Sequence, residues 1–322
     1  MTEFFSNFGK KISNVGQETV KRTKEIAEIS KLSNKIKDEE KKIDGLYTEL
    51  GKKYFTLYAR NQVAEIQDIC SCITESLQVL EAMKKELQLI KGIKISSDYP
   101  VICIPIMEKE ENQVIDTIEK YIKSKAKMIE WRIDQADFIN DPEAIKRVFE
   151  RIKSICTKTV LIATVRTIDE GGSFDDGDEI KYAELLELIA GSKVCDIIDV
   201  EYMKLRRMPG IFQTIRKNNS KVLISYHNFS ETPDSKKAFD MLSDMQHTGA
   251  DIVKLACMPH SEDDCLRIMS VTSDFRDKYP DTPIIAISMG NIGILSRIAG
   301  EIYGSCITFA SGDRASAPGQ IP

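Results

Sequence analysis

A chain of 322 residues with 42% hydrophobic and 30% charged side chains has ample material for a buried core, which excludes collagen-like, mucin-like and wholly disordered classes. It holds no run of about 18 apolar residues and its first residues lack an apolar signal segment, so the expectation is a cytoplasmic protein with no membrane partner. Residues 1–95 carry 17 basic against 14 acidic side chains and the remainder 28 against 36, and so acidic a body argues against a nucleic-acid partner.

Residues 1 to about 92 contain no proline and follow a helical rhythm. Ile29, Leu32, Ile36, Ile43, Leu46, Leu50 and Leu57 recur in heptad-like steps, with Glu39 and Lys53 as polar interruptions. The pattern lapses near residues 59–62 and resumes through Ile66, Cys70, Ile73, Leu77, Leu80 and Leu87. A lone apolar stripe must be buried, so residues 1–95 are expected to form an α-helical hairpin or coiled coil, with a homodimer as one way to cover the seam. Residues 92–100 break the helix and read as a linker.

From residue 99 onward the rhythm changes. β-rich runs recur at 101–107, 128–134, 160–166, 196–201, 222–227, 252–257, 284–289 and 305–310, with amphipathic stretches between them. Eight parallel βα units, several with strands apolar nearly throughout, point to an α/β fold of the closed (β/α)8 TIM-barrel kind over residues 99–322. The eight cysteines are scattered with no C-x-x-C pair, so neither a zinc site nor a disulfide framework is expected.

In such a barrel chemistry sits at the C-terminal strand ends, where the polar residues of this chain collect. The second strand ends in Glu130, Arg132 and Asp134, and the third in Arg166, followed by Glu170-Gly171-Gly172. The fourth ends Asp199-Val200-Glu201 and the fifth Ser225-Tyr226-His227, while Lys254 stands inside the sixth. A lysine within a strand usually guards a sheet edge, but a closed barrel has none. Pointing inward among aliphatics it loses solvation, its pKa falls, and its neutral amine becomes a nucleophile for a carbonyl. His227, beside it on the adjacent strand, is a candidate acid–base, with Glu170 the carboxylate in reach to orient it. Arg132, Arg166 and Arg297 converge on the same mouth and suit an anionic, oxygen-rich substrate. Gly290 and Gly293 after the seventh strand fit a simple turn better than a phosphate loop.

Together these segments, with Ser288-Met289-Gly290, Ser296-Arg297 and Ser316-Ala317-Pro318-Gly319-Gln320, resemble type I 3-dehydroquinate dehydratase over residues 99–322. The resemblance implies a cofactor-free dehydration of 3-dehydroquinate to 3-dehydroshikimate, with Lys254 forming an imine, His227 moving the proton and Glu170 orienting it. It assigns substrate binding to Glu130, Arg132, Arg166, Met289, Arg297, Ser316 and Gln320, the last two from a loop closing over the site. Three departures stand out: Pro105 replaces a substrate-contacting serine found in some members, the helical leader is foreign to the usual enzyme, and the barrel reads as lacking its last helix. Two other readings share this framework: a Schiff-base aldolase, which needs no His–Glu pair, and a catalytically weak barrel kept as an assembly scaffold.

Overall fold

The computed structural model describes residues 35–36, 38–53, 72–79, 89–91, 93–96, 100–175, 177, 179–207, 210–218 and 220–322. The chain divides into two compact units, Met1–Leu89 and Ile90–Pro322. In the first, residues 38–53 and 72–79 are helical. Ile36, Ile43 and Ile73 are buried, as is Ser76, whose hydroxyl bonds to the Glu39 carboxylate. Leu77, expected in the apolar seam, is instead 42% exposed. Ile29, Leu32, Leu57, Ile66, Cys70, Leu80 and Leu87 lie outside the described residues.

The second unit is a parallel eight-stranded barrel. Its strands are Val101–Ile106 (β1), Met128–Arg132 (β2), Val160–Thr164 (β3), Ile197–Glu201 (β4), Lys221–Asn228 (β5), Ile252–Cys257 (β6), Ile284–Ser288 (β7) and Ile307–Phe309 (β8). The order is β8-β1-β2-β3-β4-β5-β6-β7, and a bridge from Ile284 to Ser305 closes the ring, with the Cys306 N–H donating to the Ile284 carbonyl at 2.8 Å. Each strand matches an expected run, although β8 is shorter than expected and Ile133–Gln135 leaves β2 as a 3-10 turn.

Side chains alternate across the strands with a period of two. Ile129, Trp131, Leu161, Ala163, Ile198, Val200, Ile224 and Leu255 face outward into the helix layer, forming the larger apolar cluster. Helix α1 (Glu111–Lys123) puts Val114, Ile115 and Ile118 into it, and α2 (Pro142–Ile155) adds Ile145, Val148 and Phe149. Asp141 caps α2 by accepting from the Glu143 and Ala144 N–H groups, with Pro142 at the first helical turn. The opposite residues fill the lumen. At its N-terminal end Met128, Val160, Ile197, Leu223 and Ile252 form an apolar floor.

Residues 90, 91 and 93–95 close that floor, where the helix was expected to run to about residue 92 and a linker to follow. Leu89–Ile90 and Ile93–Lys94 pair as a two-stranded ribbon, and Ile90 and Ile95 pack into the lumen cluster. At the turn Lys91 adopts a positive φ of 50°. Its Nζ donates to the Cys156 and Thr159 carbonyls at 2.9 and 2.7 Å and pairs with Asp196 at 2.7 Å, so a nearly buried cation is fully satisfied.

Candidate active site

The same alternation that places Met128, Ile162, Ile197, Leu223 and Ile252 inward carries Glu130, Arg132, Thr164, Arg166, Asp199, Glu201, Ser225, His227 and Lys254 to the inner face further along. Register stacks them. Ser225 lies opposite Lys254 and His227 opposite Ala256, so the imidazole stands one inward layer above the lysine on the neighbouring strand.

Lys254 is 5% exposed. Burial lowers its pKa, an effect that Glu130 and Asp199 oppose with their negative charge. Its Nζ lies 4.0 Å from the centroid of the Phe309 ring on β8, whose face attracts a cation. Glu130 accepts from the Thr164 hydroxyl at 2.8 Å, which fixes the carboxylate near the amine.

His227 Nδ1 lies 2.9 Å from Glu170 Oε2, and the same oxygen accepts from the His227 backbone N–H at 3.0 Å and from Arg166 Nη1 at 3.3 Å. An oxygen facing two fixed donors is an acceptor toward the imidazole as well. Nδ1 therefore carries the hydrogen, and Nε2 keeps its lone pair. Burial holds the histidine well below its usual pKa, helped by the positive charges of Arg166, Lys254 and Arg132. Burial also pushes Glu170 well above the ordinary carboxyl range; Arg166 opposes this, while Glu201 and Asp199 add to it.

Glu170 is placed by the 3-10 turn Ile168–Glu170 and the glycine pair after it. Gly171 has φ +80° and sits so close to the Phe229 ring that a Cβ would overlap it, while a Cβ on Gly172 would strike the Arg166 carbonyl. The doublet lets the turn fold flat onto Arg166 and brings the carboxyl under the imidazole.

The three arginines are held differently. Arg132 makes a bidentate pair with Asp134, Nε to Oδ1 and Nη2 to Oδ2 both at 2.8 Å. Burial works to raise the Asp134 carboxyl, but the charge of Arg132 and their hydrogen bonds prevail and hold it below the usual range. Arg166 spends both terminal nitrogens on protein acceptors. Arg297 differs: Nη1 and Nη2 donate only to the Phe309 and Pro318 carbonyls, and Nε is buried without a partner. Among the described residues no carboxylate lies within ion-pair distance of Arg297, and burial brings its pKa down to about 10. A buried guanidinium lacking a counter-ion is a seat for an anion.

The loop after β8 folds back over this end. Ser316 and Gln320 are mutually bonded, the Ser316 N–H to Oε1 at 2.7 Å and Gln320 Nε2 to the Ser316 hydroxyl at 2.9 Å. The Gly290 N–H donates to the Pro318 carbonyl at 3.1 Å, and Gly319, at φ +77°, packs on Gly290 where a Cβ would clash. Residues 290–293 form a tight turn, the Gly293 N–H reaching the Gly290 carbonyl at 3.2 Å. Met289 is fully buried in the wall.

All ten site residues expected from the sequence, Lys254, His227, Glu170, Glu130, Arg132, Arg166, Met289, Arg297, Ser316 and Gln320, line one cavity. Gly171, Phe229, Ala256, Ile287, Phe309 and Ala317 complete its wall. Sequence reasoning passed over Phe309, the ring beside Lys254, and gave no role to Asp134, the partner of Arg132. Strand parity marks both as inward or near the strand end, yet parity alone names no partner. Among the described residues no group of three or more metal-ligating side chains forms, and no helix is long and apolar enough to cross a membrane.

Comparison with known proteins points the same way. The family model for type I 3-dehydroquinase matches residues 102–322. The 3-dehydroquinate dehydratase of Bacillus subtilis is 36% identical over 234 residues, spanning 72% of this chain and 91% of that protein. That of Clostridium botulinum is 36% identical over 240 residues, 74% and 94% of the two chains. Among solved structures, the 3-dehydroquinate dehydratase of Geobacillus kaustophilus superposes with a TM-score of 0.69 at 29% identity, over 72% of this chain and 90% of the other. The type I enzyme of Clostridium difficile, solved with covalently modified comenic acid, gives 0.68 at 33% identity, over 72% and 91%.

Proposed function

This chain belongs to the type I 3-dehydroquinase family, and from that premise we propose that residues 99–322 dehydrate 3-dehydroquinate to 3-dehydroshikimate through an imine on Lys254. The observation that carries the reading is a lysine buried in the lumen beneath a Glu170–His227 pair whose Nε2 lone pair is free.

The chemistry follows from that arrangement. The neutral Lys254 amine adds to the ring ketone, and loss of one water with uptake of one proton from solvent leaves a protonated imine. The positive nitrogen draws electrons from the neighbouring C–H bond. His227 Nε2 takes that proton and the bonding pair becomes an enamine. The enamine electrons then expel the hydroxyl on the next carbon, which leaves as water with the proton returned by His227. A second water hydrolyses the conjugated imine and frees Lys254. The Phe309 face and the Glu130 carboxylate stabilise the positive nitrogen while it lasts.

Arg297 holds the substrate carboxylate, for it is a buried guanidinium with no carboxylate of the described residues in ion-pair distance and with Nε free. Arg132, Glu130 and Arg166 face the ring hydroxyls and the reacting carbons, Met289 packs against the ring, and Ser316 and Gln320 close the loop over it. The same reading assigns residues 1–95 to a helical appendage that assists a homodimer, supported by the exposed apolar side chains of Tyr47, Leu77 and Val79. It places the enzyme in the cytoplasm without nucleic-acid partners, supported by the acidic composition of residues 96–322.

Mixing the purified chain with 3-dehydroquinate and following the absorbance of the conjugated enone product tests the proposal. A steady rise is expected. A folded chain that gives none supports the scaffold reading instead.

A further inference from the structure

The Asp199-Val200-Glu201 strand end has no part in the scheme above, yet it organises the polar end of the lumen. Asp199 and Glu201 are each 1% exposed, and neither borders the cavity that contains Lys254. Both carboxylates are saturated. Asp199 accepts from Arg166 Nη2 at 2.6 Å and from the Ser225 hydroxyl at 2.6 Å. Glu201 accepts from the Thr167 N–H at 2.8 Å, the Thr167 hydroxyl at 2.7 Å and Arg166 Nη1 at 3.2 Å. The Ser225 oxygen in turn accepts from Nη1 at 2.9 Å. The guanidinium is thereby gripped at both ends, and its remaining contact is Glu170 Oε2.

Three carboxylates therefore crowd one guanidinium in a dry region. A purely structural role would be served more stably by apolar side chains of similar volume. Of the three, only Glu170 has an oxygen, Oε1, buried without a partner, and only Glu170 reaches the imidazole. The excess negative charge is concentrated where the proton moves.

We propose that Asp199 and Glu201 are positioning residues for the proton transfer: by clamping Arg166 they fix Glu170, and through it the His227 tautomer that leaves Nε2 free. This rests on the reading of His227 as the proton carrier. Of the two carboxylates, Glu201 acts only after imine formation, whereas the Asp199 charge also raises the pKa of Lys254. Loosening it lets Arg166 Nη1 drift from Glu170 Oε2, which releases the imidazole ring to rotate and its tautomer to mix.

The test compares the full chain with Asp199→Asn and Glu201→Gln, which keep shape and remove charge, and with Ser225→Ala, which removes one bond to Asp199 and no charge. Two readouts separate the proposal from the function itself. With substrate deuterated at the carbon beside the ketone, the charge variants are expected to lose about 10- to 100-fold in kcat. Both should also show a larger isotope effect, and Glu201→Gln, whose charge does not act on Lys254, should still yield borohydride-trapped imine at the parent level. Without substrate, nitrogen NMR of the three histidines reports the tautomer directly. His227 should be Nδ1-protonated in the parent and mixed in the variants. Should the charge variants not fold, Ser225→Ala decides, with a smaller change in the same directions. Parent-like kcat, isotope effect and tautomer in folded variants overturn the clamp. A parent chain that fails to turn over contradicts the proposed function alone, since the ligand-free tautomer still tests the clamp.

Discussion

The two ends of the barrel lumen are built from the same strands with the same inward parity, and they do opposite things. At the N-terminal end Met128, Val160, Ile197, Leu223 and Ile252 meet Ile90 and Ile95 of the ribbon, and Lys91 is paired with Asp196 and two carbonyls. At the mouth, Lys254 is buried with a depressed pKa, Glu170 with a raised one, and Arg297 with no carboxylate of the described residues in ion-pair distance. Lys91 at the floor has all three of its donors satisfied, whereas groups at the mouth are held in states that water would not favour. That contrast separates stability from chemistry along a single strand, and it marks the mouth without reference to any relative.

Substitutions at the two ends should therefore sort by what they damage. The largest expected effect is Lys254→Met, which removes the nucleophile and lowers turnover by at least ~10³-fold. Because it also removes a buried cation, its melting temperature should not fall below that of the parent; a clear drop in a thermal melt would contradict the assignment of strain to this end. Next is His227→Ala, for which kcat should fall roughly 10²- to 10⁴-fold while borohydride still traps the Lys254 imine. Loss of trapping as well would place His227 in imine formation rather than in proton transfer. Arg297→Leu should act mainly on KM, raising it by about 10- to 100-fold, the worth of a charge-assisted carboxylate contact of roughly 1.5–3 kcal/mol. A kcat effect without a KM effect would move the carboxylate seat elsewhere.

Glu130→Gln sharpens the electrostatic half of the comparison. The Glu130 carboxylate raises the Lys254 pKa against the burial that lowers it. Removing that charge should lower the lysine pKa further and shift the rising limb of pH-dependent amine labelling toward acid. A shift toward base would show that Glu130 is not the charge the lysine senses. At the other end, Lys91→Met leaves the part-buried Asp196 carboxylate with the Leu161 N–H and without its cation, and should cost about 1–3 kcal/mol in a denaturant titration. Its kcat at a permissive temperature should stay at the parent value. The smallest expected effect is from removing residues 1–88, which should leave kcat/KM unchanged if the leader serves assembly only.

How much of this was legible in the sequence depended on whether a residue's role follows from its own position or from its partner's. Strand positions followed from alternation, and Lys254 was conspicuous because an inward lysine in a closed barrel has no routine explanation. Glu170 was recoverable from the Gly171-Gly172 pair, which only a close backbone packing requires. The ribbon at residues 89–95 was not legible. Gly92 signals that a helix stops, but the pairing of Ile90 and Ile93 is set by the apolar floor they cover, which lies in distant sequence. Leu77 fits a helical seam by spacing and is exposed, because spacing fixes a face and not what covers it. Asp134 stood two residues from Arg132 in plain view, and a bidentate pair at a strand end was the signal to follow.

The central claim is that one lysine, Lys254, becomes covalently attached to the substrate. The direct test is to incubate the full chain with 3-dehydroquinate, reduce with borohydride, and map the modified residue by peptide mass spectrometry. The account predicts a single adduct on Lys254, absent without substrate and absent in Lys254→Met. Turnover without any adduct, or an adduct on another lysine, would contradict it.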